Sequence, residues 1–148
     1  MENKNVNIIL RIVRIAIPVV AIILGLIPGS YIKVRLDPNS PAEAPQYITS
    51  PSNYFDMSGQ TLLDWVPLVC MFLCALAVVA AIVCAVKETE NHLVVLANML
   101  CFALVADAAL LMFCGAVTTL MWVIGGVLTA GLVLTSMQEM KMEDANKK

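Results

Sequence analysis

A chain of 148 residues in which 60% are hydrophobic and 14% charged, with a mean hydropathy of +0.86, carries too little charge for a soluble domain, where about 25% is usual. Nine Lys and Arg against eleven Asp and Glu leave a formal net charge of −2, scattered along the chain, which excludes a basic face that would follow a nucleic-acid backbone. The five cysteines, Cys70, Cys74, Cys84, Cys101 and Cys114, all fall in or beside apolar runs, so a secreted disulfide framework is excluded and buried thiols are expected.

The apolar residues gather into a few long runs with the charges between them, the pattern of membrane helices. After a polar lead, the first run predicts span one at about 11–32, with Arg11 and Arg14 snorkelling toward headgroups. Pro18, Gly25 and the Pro28-Gly29 pair predict a kink and a frayed far end. A basic start ahead of an apolar core also fits a signal peptide, yet no small-x-small cleavage site follows, so the span is expected to remain as an anchor. The polar segment 33–60 holds four of the seven prolines and is expected to be mostly irregular, although 31–36 alternates as a short strand would.

Span two is predicted at 62–86, headed by Asp64 and Trp65, and is followed by a charged turn over 87–92 that includes Glu88, Glu90 and His92. Span three is predicted at 93–114, a tight turn at Gly115 comes next, then span four at 118–137 and a polar tail at 138–148. Each run is close to the roughly 20 residues that cross about 30 Å of hydrocarbon. The expectation is an all-α integral membrane four-helix bundle, one domain over 1–148, with one long external loop between helices 1 and 2. With the N-terminus inside, Lys4, Arg11, Arg14, Lys87, Lys141, Lys147 and Lys148 lie on the cytoplasmic side against Lys33 and Arg35 outside, a strong positive-inside bias. Both termini and the tail are therefore expected in the cytoplasm and the 33–60 loop outside.

Cys70, Cys74, Ala77, Ala81 and either Cys84 or Ala85 share one face of span two, and span four has Gly125, Gly126, Ala130 and Gly131, with a small-xxx-small pair at Gly126 and Ala130. Small faces let helices approach in lipid, either within the bundle, which is the plainer reading, or against a second copy or a partner helix. Leu128 is assigned to the lipid side. A redox role for Cys70 and Cys74 is set aside because their four-residue helical spacing does not easily bridge, and no loop cysteine relays electrons. His92 lacks the second histidine of a haem site and reads as a solvated turn residue. No metal cluster, catalytic triad or phosphate loop is legible, so no cofactor, metal or enzymatic activity is expected.

Asp107, the one acid well inside an apolar run, is expected to face protein or water and find partners, for which the Trp122 indole or glycine-exposed backbone of span four are nearest and Lys33 and Arg35 more distant. It is either a structural hydrogen-bonding group or a binder of a proton, cation or ligand. Asn98 is expected to hydrogen-bond between helices. Tyr31, Tyr47, Tyr54, Phe55, Trp65 and Trp122 fit an aromatic belt at the outer boundary, with a recognition patch as the alternative.

The stretch Asn53-Tyr54-Phe55-Asp56, followed by Trp65-Val66-Pro67-Leu68, resembles small four-span proteins of Gram-positive bacteria that carry no assigned function. That resemblance implies a bacterial plasma-membrane location and no activity. The long first loop is similar in length to that of claudin-like proteins, but their tryptophan motif with paired cysteines is absent. Helix-packing faces are plentiful and catalytic groups scarce, so the expected function is non-enzymatic association through helix faces or the loop, in a lipid bilayer, with a second copy or another membrane protein. The alternative is a small oligomeric transporter or channel using Asp107.

Overall fold

Four long helices and one small hairpin make up the computed structural model, which describes residues 2–58, 62–87, 89–113 and 116–146. The elements are α1 (Glu2–Leu26), β1 (Tyr31–Leu36), β2 (Tyr47–Ser52), α2 (Leu62–Val86), α3 (Glu90–Phe113) and α4 (Thr119–Asn146). All four helices are long and apolar enough to cross a membrane. Glu88, Cys114, Gly115, Lys147 and Lys148, which the sequence assigned to turns, a span end and the tail, lie outside the described residues.

Each helix packs on its neighbour in the chain, and α4 closes the ring against α1. The buried positions recur every three or four residues, as a single helical face requires: Cys70, Met71, Cys74, Ala77, Ala81 and Cys84 on α2, and Leu93, Leu96, Leu100, Ala103, Asp107 and Leu110 on α3. On α4 the inward face is Met121, Ile124, Gly125, Leu128, Gly131 and Thr135. Glycines mark the closest approaches. A Cβ on Gly131 would stand 2.6 Å from Ile17 Cγ2, and one on Gly25 the same distance from Met71 Sδ, so α1 meets both α4 and α2 through hydrogen-sized side chains.

Several expectations change here. Span one does not reach residue 32: α1 stops at Leu26, because Pro28 cannot continue the ladder and Gly29 takes a left-handed φ of 82°, which turns the chain into β1. The helix does run through Pro18. Most of the 33–60 loop is irregular, as expected, and the alternating 31–36 stretch is β1; the unexpected element is its antiparallel partner β2, with Tyr31 opposite Ser52 and Leu36 opposite Tyr47. The tail from 138 is no separate polar segment but the continuation of α4 to Asn146. Arg14 does not snorkel; it is 3% exposed. Arg11 donates from Nη1 to Ala85 O at 3.0 Å, placing a cation on an orphan carbonyl at the negative end of α2.

Candidate functional site

The hairpin end of the bundle is organised around Tyr54. Asn53 Oδ1 accepts from the Phe55 amide, a local turn that aims the Tyr54 side chain down between the helices. Its backbone N–H donates to Gly25 O at 3.0 Å, and its ring packs edge-on to Tyr31 with centroids 6.3 Å apart. At the bottom of this plunge the phenol donates to Asp107 Oδ1 at 2.7 Å, between two fully buried side chains. The aromatic belt therefore loses Tyr54 and Tyr31 to the interior, because a phenol that reaches a buried acid satisfies both groups at once. Phe55 packs half-buried against the core, whereas Trp65, Trp122 and Tyr47 stay exposed.

Asp107 thus finds its partner in the hairpin segment and not in Trp122 or the span-four backbone. Only Oδ1 is engaged; Oδ2 is buried and has no hydrogen-bond partner among the described residues. Opposite stands Gly125, where a Cβ would come within 2.8 Å of Oδ2, so glycine there is what allows α4 to lie over the carboxylate. Asp107, Leu111, Trp122, Gly125, Gly126 and Thr129 line a groove of about 290 Å³ on the α3–α4 seam. Trp122 is the expected neighbour in level, though as a wall of the groove. Nearby, Cys70 Sγ donates to Ala103 O at 3.4 Å, tying α2 to α3 one turn before the acid.

A second polar cluster fixes the hairpin base. Lys33, 1% exposed, pairs with Asp56 Oδ2 at 3.0 Å and also donates to Ser58 Oγ at 3.2 Å, while Arg35 Nη2 donates to Ser58 O at 2.9 Å. Asp56 accepts in addition from the Ser52 hydroxyl, the Ser58 hydroxyl and the Ser58 amide. Those hydrogen bonds, Ser52 first, then Ser58 and Lys33, hold the Asp56 carboxyl far below the usual carboxylate range. The cation Lys33, considered as a distant partner for Asp107, is committed here instead. Thr118 closes the same end, donating to Ser30 O at 2.8 Å while its hydroxyl caps the Met121 amide at the start of α4.

The remaining candidates separate. Cys70, Cys74, Ala77 and Ala81 lie in the core, as does Gly125. Gly126 and Ala130 face outward, and Leu128, assigned to the lipid side, is fully buried. The inward face is one residue away from the one the small-xxx-small pattern marks, because Gly125 has to pass Asp107. Asn98 is exposed and does not glue helices from the core. His92 is half-buried and hydrogen-bonded to Thr89, whose carbonyl also accepts the His92 and Leu93 amides at the start of α3. Among the described residues, no three His, Cys, Asp or Glu side chains gather as metal ligands. Sequence reasoning missed the Tyr54 to Asp107 bond and the Lys33 to Asp56 pair; the turn formers of Asn53-Tyr54-Phe55-Asp56 were the available signal. Compared with known proteins, the chain matches no family model, no curated protein and no solved structure.

Proposed function

We propose that this is a non-enzymatic multi-pass protein whose four helices cross a plasma membrane with both termini in the cytoplasm, and which acts by presenting its hairpin outside to a partner protein. The hairpin carries this reading. Its base is fastened by Lys33 and Arg35 to the 56–58 turn and by Tyr54 to the bundle interior, whereas residues 41–51 are exposed throughout. Strand alternation puts Val34, Leu36 and Tyr47 on the face opposite Lys33, and they are 39%, 55% and 67% exposed. A rigidly held two-stranded ribbon with unpaired edges and apolar residues at its tip supports recognition by strand addition or by burial of that face.

A photo-crosslinking amino acid in place of Tyr47, irradiated in native membranes, tests the reading. Discrete protein adducts are expected, reduced about tenfold by Leu36→Asp across the strand pair, as for a hot-spot residue. Adducts to lipid alone, or none that recur, would overturn it.

A second reading, a small oligomeric transporter or channel built on Asp107, draws support from the Oδ2 atom that no described residue engages. It asks for a pathway, and Met71, Leu96, Leu100, Leu110, Ile124 and Leu128 fill the space between the four helices of a single copy. We therefore place it second.

A further inference from the structure

We propose that the α3–α4 groove beside Asp107 is a binding site for a lipophilic ammonium ion, an apolar molecule bearing one positively charged nitrogen with N–H donors. Asp107 is wholly buried and belongs to the groove lining; its Oδ1 is occupied by the Tyr54 phenol, and its Oδ2, which lies against Gly125 of the same lining, has no partner among the described residues. Leaving a buried acceptor unmade is costly, and a carboxylate in an apolar setting is costlier still without a cation. No ion pair to Asp107 exists among the described residues: Lys33 is engaged at Asp56, and Arg11 reaches Ala85 O at the opposite end of the bundle. The missing complement is a single positive charge with a donor.

The groove selects the rest of the ligand. Thr129 Oγ1, on its rim, spends its proton on Gly125 O at 2.8 Å and so turns only acceptor lone pairs outward, a second contact for an ammonium. Trp122 lines another side, an indole of the kind that attracts cations, and Leu104, Ala108 and Leu111 leave the remainder apolar. At about 290 Å³ the space suits a small molecule near the lower end of ligand pockets. An anion would meet the Asp107 charge. Gly126 lies beside open space in the lining, since a Cβ added there meets no atom within 4 Å.

Ligand supply from the bilayer rests on the membrane-spanning reading, whereas the site itself does not depend on the hairpin's partner. The experiment uses the full chain with Trp65→Phe, so that Trp122 is the one remaining tryptophan, reconstituted in phosphatidylcholine vesicles. Trp122 fluorescence is titrated with bromoundecylamine and with bromoundecanol, which has the same chain but lacks the charge, each at its measured bilayer concentration. Saturable quenching by the amine is expected at about tenfold lower bilayer concentration than by the alcohol, the margin of a charge-assisted over a neutral hydrogen bond. Asp107→Asn should abolish that preference, and Gly126→Leu, which adds bulk at the groove lining without touching the core, should abolish the saturable part of the quenching by both compounds. Equal quenching by amine and alcohol in the parent, or an amine preference that persists in either folded variant, overturns the site. Should Asp107→Asn fail to fold, Gly126→Leu decides alone. Flotation with the vesicles checks insertion separately: protein that does not float overturns the membrane reading, and the same titration in detergent micelles then decides the groove.

Discussion

Tyr54 joins two helices to the hairpin segment, because its amide is held by α1 and its hydroxyl by α3. Tyr54→Phe keeps the ring and deletes the donor, leaving Asp107 Oδ1 buried and unmet. A loss of about 1–3 kcal/mol is expected, the cost of one unsatisfied buried acceptor, read from thermal unfolding in detergent. Gly125→Ala should cost a comparable amount, on the order of 1–3 kcal/mol for overpacking, while Gly126→Ala should be silent. The damage at Gly125 should shrink in an Asp107→Ala background, since the colliding oxygen is gone; an undiminished loss would show that the clash lies elsewhere. At the hairpin base the sign of the pH effect follows from Asp56. Its folded pKa is depressed, so its stabilising contribution is complete above the unfolded carboxylate value near 3.9 and is lost as pH falls below it. Protection of hairpin amides from hydrogen exchange should hold from neutral pH to about 4 and fall below that, and Asp56→Asn should flatten the profile.

At the level of elements, α4 shows what hydropathy leaves undetermined. Its length and apolar character were legible, and so was the small-residue cluster, but an all-round apolar helix carries no polar face to say which way it turns. The answer lies in Asp107 on the neighbouring helix, which demands a glycine opposite and so brings Gly125, Leu128 and Gly131 inward. Leu128→Ala is accordingly expected to destabilise by about 2–5 kcal/mol, as for a filled core position, and Ala130→Leu to be near neutral; the reverse ranking by unfolding would reject this orientation. β1 was legible from the alternation over 31–36, whereas its partner was hidden because 47–52 contains Pro51, which sits on the outer strand opposite Ile32. The end of α1 was misread for a different reason: residues 27–32 are apolar enough to extend a helix, and only Pro28 with Gly29 stops it. The two polar sites each join residues more than twenty positions apart, a closure no local pattern encodes.

For the whole molecule, the orientation we propose rests on the distribution of basic residues, and two exposed positions at opposite ends test it. A cysteine at Ala44, in the hairpin connection, should react with a membrane-impermeant maleimide in intact cells, and one at Lys141, near the end of α4, only after permeabilisation. The reverse pattern would invert the proposed topology.

The bond between Tyr54 and Asp107 also imposes a timetable on synthesis. The two residues are 53 positions apart, so the phenol leaves the ribosome well before its acceptor exists, and the hairpin has to wait for α3. Nascent chains halted before α3 emerges should have a hairpin that proteases cut readily, and chains released past Asp107 one that resists. In Asp107→Asn, whose side-chain oxygen still accepts from the phenol, that late hardening should survive, whereas in Asp107→Leu it should vanish.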